Sequence, residues 1–186
     1  MDHYIEFRLL PDPEFAPTQL MNSLYGKLHL ALASVGNGDI GVSFPDGDNA
    51  RTLGTRLRLH GTADALDRLM QKNWTIGIRD HVDQKPILPV PVDTKFRCLY
   101  RVQAKSNPAR LRRRLMKRHG MDAETAFKQI PDNAVETLEL PYVQMKSLSS
   151  GKQFRLFFRY GEVEDSARSG SFSAYGLSRE ASIPWF

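Results

Sequence analysis

A helical apolar period running unbroken from Pro17 to about Val35 narrows what this chain can fold into more than any other feature. Leu20, Met21, Leu24, Tyr25, Leu28, Ala31 and Leu32 fall on one face of a helix, and Gly36-Asn37-Gly38 supplies its stop. Such a stripe needs a partner layer to cover it, and the neighbouring sequence reads as strands. His3 to Leu10 alternates apolar and polar residues and ends at Pro11 and Pro13, which cannot continue a ladder. Ile40 to Phe44 and Thr55 to His60 read as two further strands flanking the turn-rich Pro45-Asp46-Gly47-Asp48-Asn49. Thr62 is placed to cap a helix from Ala63 to about Gln71, and Trp74 to Ile78 reads as a fourth strand. The order βαββαβ over residues 1–84 is that of a ferredoxin-like domain, an antiparallel sheet with two helices on one face.

Residues 85–95 contain Pro86, Pro89 and Pro91 without a helical period and read as a linker. Residues 96–186 then form a second α+β domain. Its expected elements are a strand from Phe96 to Gln103, an arginine-rich helix, a short helix from Asp122 to Gln129, and strands Tyr142 to Ser147 and Gln153 to Tyr160. The tail from Ser166 to Phe186 is rich in Gly and Ser with embedded aromatics. The expected fold is therefore α+β, a ferredoxin-like N-terminal domain followed by an α+β domain carrying a basic helix. One cysteine, Cys98, excludes an internal disulfide framework, and its neighbours place it in a buried strand. No apolar run approaches the ~20 residues of a membrane span, and Asp2 and Glu6 argue against a signal peptide. A cytoplasmic protein without membrane contact is expected.

Charge is unevenly placed. Residues 1–92 hold nine Lys/Arg against eleven Asp/Glu, whereas 93–186 hold seventeen against ten, so the two parts carry −2 and +7. Ser106-Asn107-Pro108 is a helix start, since Asn caps free N–H groups and Pro fits the first helical position, and Gly120 is its end. At about 100° per residue, Arg110, Arg113, Arg114, Lys117 and Arg118 share an arc of roughly 140°. Leu111 and Leu115 form an apolar edge beside it that can dock the helix on its own domain. No acidic residue occurs from Thr94 through Met121, so these cations have no sequence-local carboxylate. Phosphates offset such self-repulsion, which points to a nucleic acid. A merely solvated basic face is the plainer alternative.

Arg101-Val102-Gln103-Ala104-Lys105-Ser106-Asn107-Pro108, running into Arg110-Leu111-Arg112-Arg113-Arg114-Leu115-Met116, resembles the type I-F CRISPR repeat endoribonucleases. Residues 1–4, Pro11 to Glu14, Gly26-Lys27-Leu28-His29, Gly41 to Asp46, Phe154-Arg155-Leu156-Phe157 and Pro184-Trp185-Phe186 match in order as well. The resemblance implies that the arginine helix enters the major groove of a CRISPR repeat RNA hairpin. It implies that the enzyme cuts at the base of the stem and stays on the guide RNA with other CRISPR-associated proteins of a type I-F interference complex. By motif position Arg101 and Gln103 would read purines near the stem base, and Phe154 would stack on the terminal base pair. Arg114, Lys117 and Arg118 would hold phosphates or a guanine edge. The family often has arginine where this chain has Lys117, which favours a phosphate role there. His29 and Ser147 fall at the catalytic positions, Ser149 at a supporting one, and Tyr175 at that of the tyrosine orienting the histidine.

Such cleavage has the ribose 2′-OH attack the adjacent phosphorus, leaving a 2′,3′-cyclic phosphate and a 5′-hydroxyl. Imidazole, whose unperturbed pKa lies near 6.5, suits removal of the 2′-OH proton. Ser147 can bond the 2′-OH and favour in-line geometry. Taken alone, a histidine on the flank of a helical stripe is more often structural, and the two serines are ordinary hairpin-turn residues. His3, His60, His81 and His119 lack metal-ligand spacing, Asp46 and Asp48 suffice for no two-metal centre, and neither a P-loop nor a GxSxG elbow occurs. No cofactor or metal is expected. Two other functions use the same scaffold: a non-catalytic hairpin-binding protein, and a DNA-binding regulator with its basic helix in a B-form groove.

Overall fold

The computed structural model describes residues 1–47, 51–103, 108–131, 138–147 and 150–186. The alternation expected in the first strand is present in β1 (His3–Leu9), which turns Ile5, Phe7 and Leu9 into the core. Helix α1 (Pro17–Val35) opens with Pro17 at its first position, and Gln19 Oε1 accepts from the Ala16 N–H at 3.0 Å. It closes at Gly36, whose φ of 72° lets the chain turn left-handed while its N–H returns to the Leu32 carbonyl. All seven residues of the anticipated stripe are buried.

The next elements are β2 (Gly41–Ser43), β3 (Arg56–Gly61) and α2 (Ala63–Met70), the last capped by Thr62, which accepts from Ala65 N. Strand β4 is Val82–Gln84, and the sheet order is β2-β3-β1-β4 with antiparallel neighbours. Register places Ile5 opposite Leu59 and Phe7 opposite Leu57. These meet Leu24 and Leu28 of α1 and Leu66 and Leu69 of α2 in one buried cluster. Each large side chain so covered contributes about 1.5–3 kcal/mol. The other pleat of β1 and β3 carries Glu6 and Arg58, paired at 2.6 Å, and His60, and Phe186 lies against Arg58.

Three sequence expectations are corrected. Trp74 to Ile78 is not a strand: Asn73 and Gly77 take positive φ, and Ile76 N–H to Asn73 and Ile78 N–H to Thr75 close successive turns. The alternation of Trp74, Ile76 and Ile78 misleads because Ile76 points to solvent while the other two are buried. The fourth strand comes later, in a stretch too short to show a period. Within 85–95, β5 (Leu88–Pro89) pairs with β1, so this segment is part of the sheet edge. The strand expected from Phe96 to Gln103 divides at Cys98 into β6 (Lys95–Arg97) and β7 (Leu99–Val102), which join different sheets. Cys98 itself is buried, as anticipated, and donates to the Ala181 carbonyl.

The remaining elements are α3 (Pro108–His119), α4 (Ala123–Gln129), β8 (Tyr142–Lys146), β9 (Gln153–Tyr160) and β10 (Ile183–Trp185). The described chain forms two compact units, residues 1–101 with 140–186, and residues 102–139. This division does not follow the 85–95 segment, because Leu99, Val143, Met145, Leu156 and Phe158 share the buried cluster of α1 and β1. In the larger unit Phe158 meets Tyr25 edge-on, with ring centroids 5.4 Å apart. In the smaller unit Asp122 caps α4 by accepting from Thr125 N at 2.7 Å. Gly120, at φ 61°, ends α3.

Candidate active site and the basic helix

Tyr25 and His29 stand one turn apart on α1, on the same face. Opposite them the tail makes a turn in which Gly176 N–H bonds the Ser173 carbonyl at 2.8 Å. Only glycine fits the corner: φ at Gly176 is +68°, and a Cβ there would lie 2.5 Å from Val42 Cγ1. Such a turn leaves the carbonyls of Ala174 and Tyr175 facing outward, and α1 takes both. The Tyr25 hydroxyl donates to the Tyr175 carbonyl at 2.7 Å, and His29 Nδ1 lies 2.9 Å from the Ala174 carbonyl. A carbonyl only accepts, so Nδ1 carries the proton and Nε2 is left as the acceptor of the neutral ring. The imidazole also stacks flat on the Tyr175 ring, 3.9 Å between centroids and 3° between planes. Burial pushes the Tyr25 phenol well above its ordinary pKa, which keeps this hydroxyl a donor.

His29 and Tyr175 share a cleft of ≈ 530 Å³ with Ser147 and Phe154. β8 forms the far wall, with Val143 and Met145 buried beneath it and Gln144 N–H donated to Asn22 Oδ1 of α1 at 2.9 Å. Ser147 follows β8 in a hairpin closed by Gly151 N–H to its carbonyl and by its own N–H to the Lys152 carbonyl. The structure thus gathers His29, Ser147, Tyr175 and Phe154 at one site, while Ser149 lies outside the described residues. Asn22, Lys27, Gln144 and Lys146 line the cleft too and were not anticipated. A helical wheel offered a signal for Asn22, which sits two turns before His29 on one face. The lining contains imidazole, hydroxyls, amides and ammonium groups and, among the described residues, no Asp or Glu.

Arg101, on β7, has its guanidinium 5.8 Å from the Phe154 ring centroid, and its Nε is buried without a partner among the described residues. Gln103 is exposed. On α3 the five anticipated cations, Arg110, Arg113, Arg114, Lys117 and Arg118, are all exposed. Arg114, Lys117 and Arg118 make no ion pair among the described residues, whereas Arg113 Nε bonds back to the Ala109 carbonyl. Leu111 and Leu115 are half-buried, as their edge position suggested. Arg112, by contrast, is used within the unit, lying 4.8 Å over the Phe127 ring and donating to the Ile130 carbonyl. The Ser106-Asn107 helix start lies outside the described residues. Among those residues no three His, Cys, Asp or Glu side chains gather as a metal group, and no helix is long and apolar enough to cross a membrane.

Residues 4–186 match the family described as CRISPR-associated protein (Cas_Csy4). A CRISPR-associated endonuclease Cas6/Csy4 from Pseudomonas aeruginosa (strain UCBPP-PA14) is 52% identical over 187 residues, spanning all of both chains. A protein of the same name from Escherichia coli (strain UTI89 / UPEC) is 47% identical over 186 residues, again across both chains. Among solved structures, one of the CRISPR endoribonuclease Cse3 bound to a 19-nucleotide RNA aligns over both chains at 13% identity and a TM-score of 0.38, a likeness too loose to carry an argument.

Proposed function

The chain belongs to the Cas_Csy4 family of CRISPR-associated proteins, and on that premise we propose that it is a metal-independent endoribonuclease that binds the CRISPR repeat hairpin and cuts precursor RNA at the stem base. The observation that carries this is the pose of His29. Its Nδ1 proton is committed to Ala174, its plane is held by Tyr175, and it opens on the same cleft as the Ser147 hydroxyl. An imidazole so held accepts the 2′-OH proton through Nε2, a positioned proton transfer worth about 10²–10⁴ in rate. Ser147 bonds the 2′-OH and keeps the ribose in line with the leaving oxygen, with Ser149 in support. Lys27 and Lys146 supply positive charge to the phosphate as it gains negative charge. A lining without carboxylates among the described residues suits this chemistry better than a Mg²⁺ site, which needs hard oxygen ligands. The products are a 2′,3′-cyclic phosphate and a 5′-hydroxyl.

Binding falls to the cations of α3, with Arg110, Arg113, Arg114, Lys117 and Arg118 gripping the hairpin from its major groove. A-form RNA normally closes that groove to side chains, but the open end of a short stem admits a helix. Arg101 and Gln103 read purines at the stem base, and Phe154 stacks on its last pair. The strand order β2-β3-β1-β4 supports the ferredoxin-like layout for the N-terminal part. The protein works in the cytoplasm and stays on the guide RNA with other proteins of a type I-F complex. The test is incubation of wild type and His29→Ala with the host's repeat RNA in excess EDTA, followed by mapping of the product ends. Cleavage by wild type alone, ending in a cyclic phosphate, is expected. Cleavage that stops with EDTA, or that survives in His29→Ala, overturns the mechanism.

A further inference from the structure

β8 ends the strand order β7-β9-β8, so one of its edges faces away from the sheet. On its inner edge the Ser147 N–H goes to the Lys152 carbonyl, and the Pro141 carbonyl accepts from the Phe158 N–H. Amides of an antiparallel pair alternate in direction, so the Gln144 N–H points outward. Asn22 of α1 meets it there, its Oδ1 accepting at 2.9 Å. The Gln144 side chain turns the other way, its Nε2 donating to Gln153 Oε1 of β9 at 2.6 Å. Gln144 is thereby fixed to its own hairpin and to the helix at once. Val143 and Met145 of β8 share the buried cluster of Leu24 and Leu28. Such apolar contact is non-directional and does not by itself set how far along α1 the strand sits. The Asn22 bond is directional and does.

From that bond both elements run on to the reacting groups. Asn22 lies seven residues before His29, and Gln144 three before Ser147. The first interval is about 10.5 Å of helix, and the second about 10 Å of strand. All four residues line one cleft, so the two paths lead the same way and end level. The Ser147 hydroxyl accepts from the Ser150 N–H of its own hairpin at 3.3 Å, which makes its position that of the hairpin as a whole.

We propose that Asn22 is a positioning residue for cleavage: it sets the register of β8 on α1 and so holds Ser147 opposite His29. The proposal rests on the roles given to His29 and Ser147 above. Asn22 acts through the Gln144 main chain and needs no contact with RNA. Loss of the bond frees the strand to shift along the helix, and a misplacement of about 1 Å at Ser147 can cost up to a hundredfold in rate. The grip of the α3 cations on the hairpin does not draw on this bond, so affinity and rate separate.

The test is single-turnover cleavage of repeat RNA at saturating protein, with hairpin affinity titrated separately on RNA carrying a 2′-deoxyribose 5′ of the mapped cut. Asn22→Leu, close in size but without an acceptor, is expected to slow cleavage about tenfold at unchanged affinity. Asn22→Asp keeps the acceptor and loses the amide N–H groups, and is expected to recover most of that rate. In a Ser147→Ala background, Asn22→Leu is expected to add about twofold at most, because two changes that act through one group are not additive. An Asn22→Asp as slow as Asn22→Leu overturns the proposal and assigns the amide to the RNA itself. A tenfold loss that persists without the Ser147 hydroxyl, or a loss of affinity that matches the loss of rate, overturns it too. A slow Ser147→Ala beside an Asn22→Leu as fast as wild type overturns the register bond alone. A Ser147→Ala as fast as wild type overturns the role of Ser147 in the mechanism, and the proposal with it.

Discussion

His29 and Arg118 both come from helices and both are assigned to RNA, yet their surroundings differ in kind. His29 is held on α1 by a hydrogen bond to Ala174 and a flat stack on Tyr175, and Tyr25 ties down the same turn. Arg118, with Arg114 and Lys117, stands exposed on α3 with no ion pair among the described residues. Bond-making chemistry needs its base in place before the substrate arrives, because misplacement by about 1 Å can cost a hundredfold. Phosphate binding draws on long-range attraction and ion release, which tolerate a mobile side chain. One region is built for position and the other for charge.

The sharpest way to break this comparison is His29→Ala. Single-turnover cleavage should fall by about 10²–10⁴ while hairpin affinity stays unchanged. A matching loss of affinity in a binding titration would make the cleft part of the grip. Replacing Arg114 and Arg118 together with alanine should do the reverse. Affinity should drop roughly tenfold per arginine, the scale of a charge-assisted hydrogen bond. The salt slope should flatten by about 0.7–0.9 per lost contact, with the rate at saturating protein intact. An unchanged slope removes α3 from the interface.

A smaller effect separates stacking from hydroxyl chemistry at the turn. Tyr175→Leu should slow cleavage by up to about tenfold, since an aromatic pair is worth roughly 0.5–1.5 kcal/mol. Tyr175→Phe, which keeps the ring and the main-chain acceptor for Tyr25, should cleave near the wild-type rate, and equal losses in the two variants would implicate the phenol instead. The smallest effect on cleavage is expected from His60, which is buried beneath the tail and shares a 2.8 Å hydrogen bond with Ser43. Burial, with smaller contributions from Arg58 and the N-terminus, lowers its pKa to about 3. The unfolded chain, titrating near 6.5, therefore binds this proton first as pH falls. The stability that neutral His60 contributes is fully present above pH ~6.5 and declines by about 1.4 kcal/mol per pH unit toward pH 3. Urea unfolding between pH 7 and 4 should show that slope, and His60→Gln should flatten it.

Much of this was legible from local pattern. The α1 stripe, the Thr62 cap, the short helix near Asp122 to Gln129 and the cationic arc of α3 depend on neighbours within a turn or two, and the structure carries them as expected. The misses share a cause. Trp74 to Ile78 alternates like a strand but folds as turns, because its backbone bonds close locally and no neighbouring strand takes them. The segment from Lys95 to Val102 reads as one strand, yet Cys98 is where the chain leaves the β10 partner for β9. Which strand pairs with which is a contest among distant segments, and a single-strand pattern does not record it.

By itself the sequence determined the helices and their order, the buried face of α1, the concentration of positive charge after residue 93 and the family resemblance. Those properties follow from local periodicity, capping chemistry, composition and motif. Only the tertiary structure decided that the Ala174 carbonyl, 145 positions from His29, takes its Nδ1 proton, and that Asn22, Lys27 and Lys146 join Ser147 around it. It also decided that Arg112, alike in type to its helical neighbours, packs on Phe127. Periodicity tells which way a side chain faces. The partner it meets is set by which distant backbone still has a hydrogen-bonding group to satisfy once the core has closed.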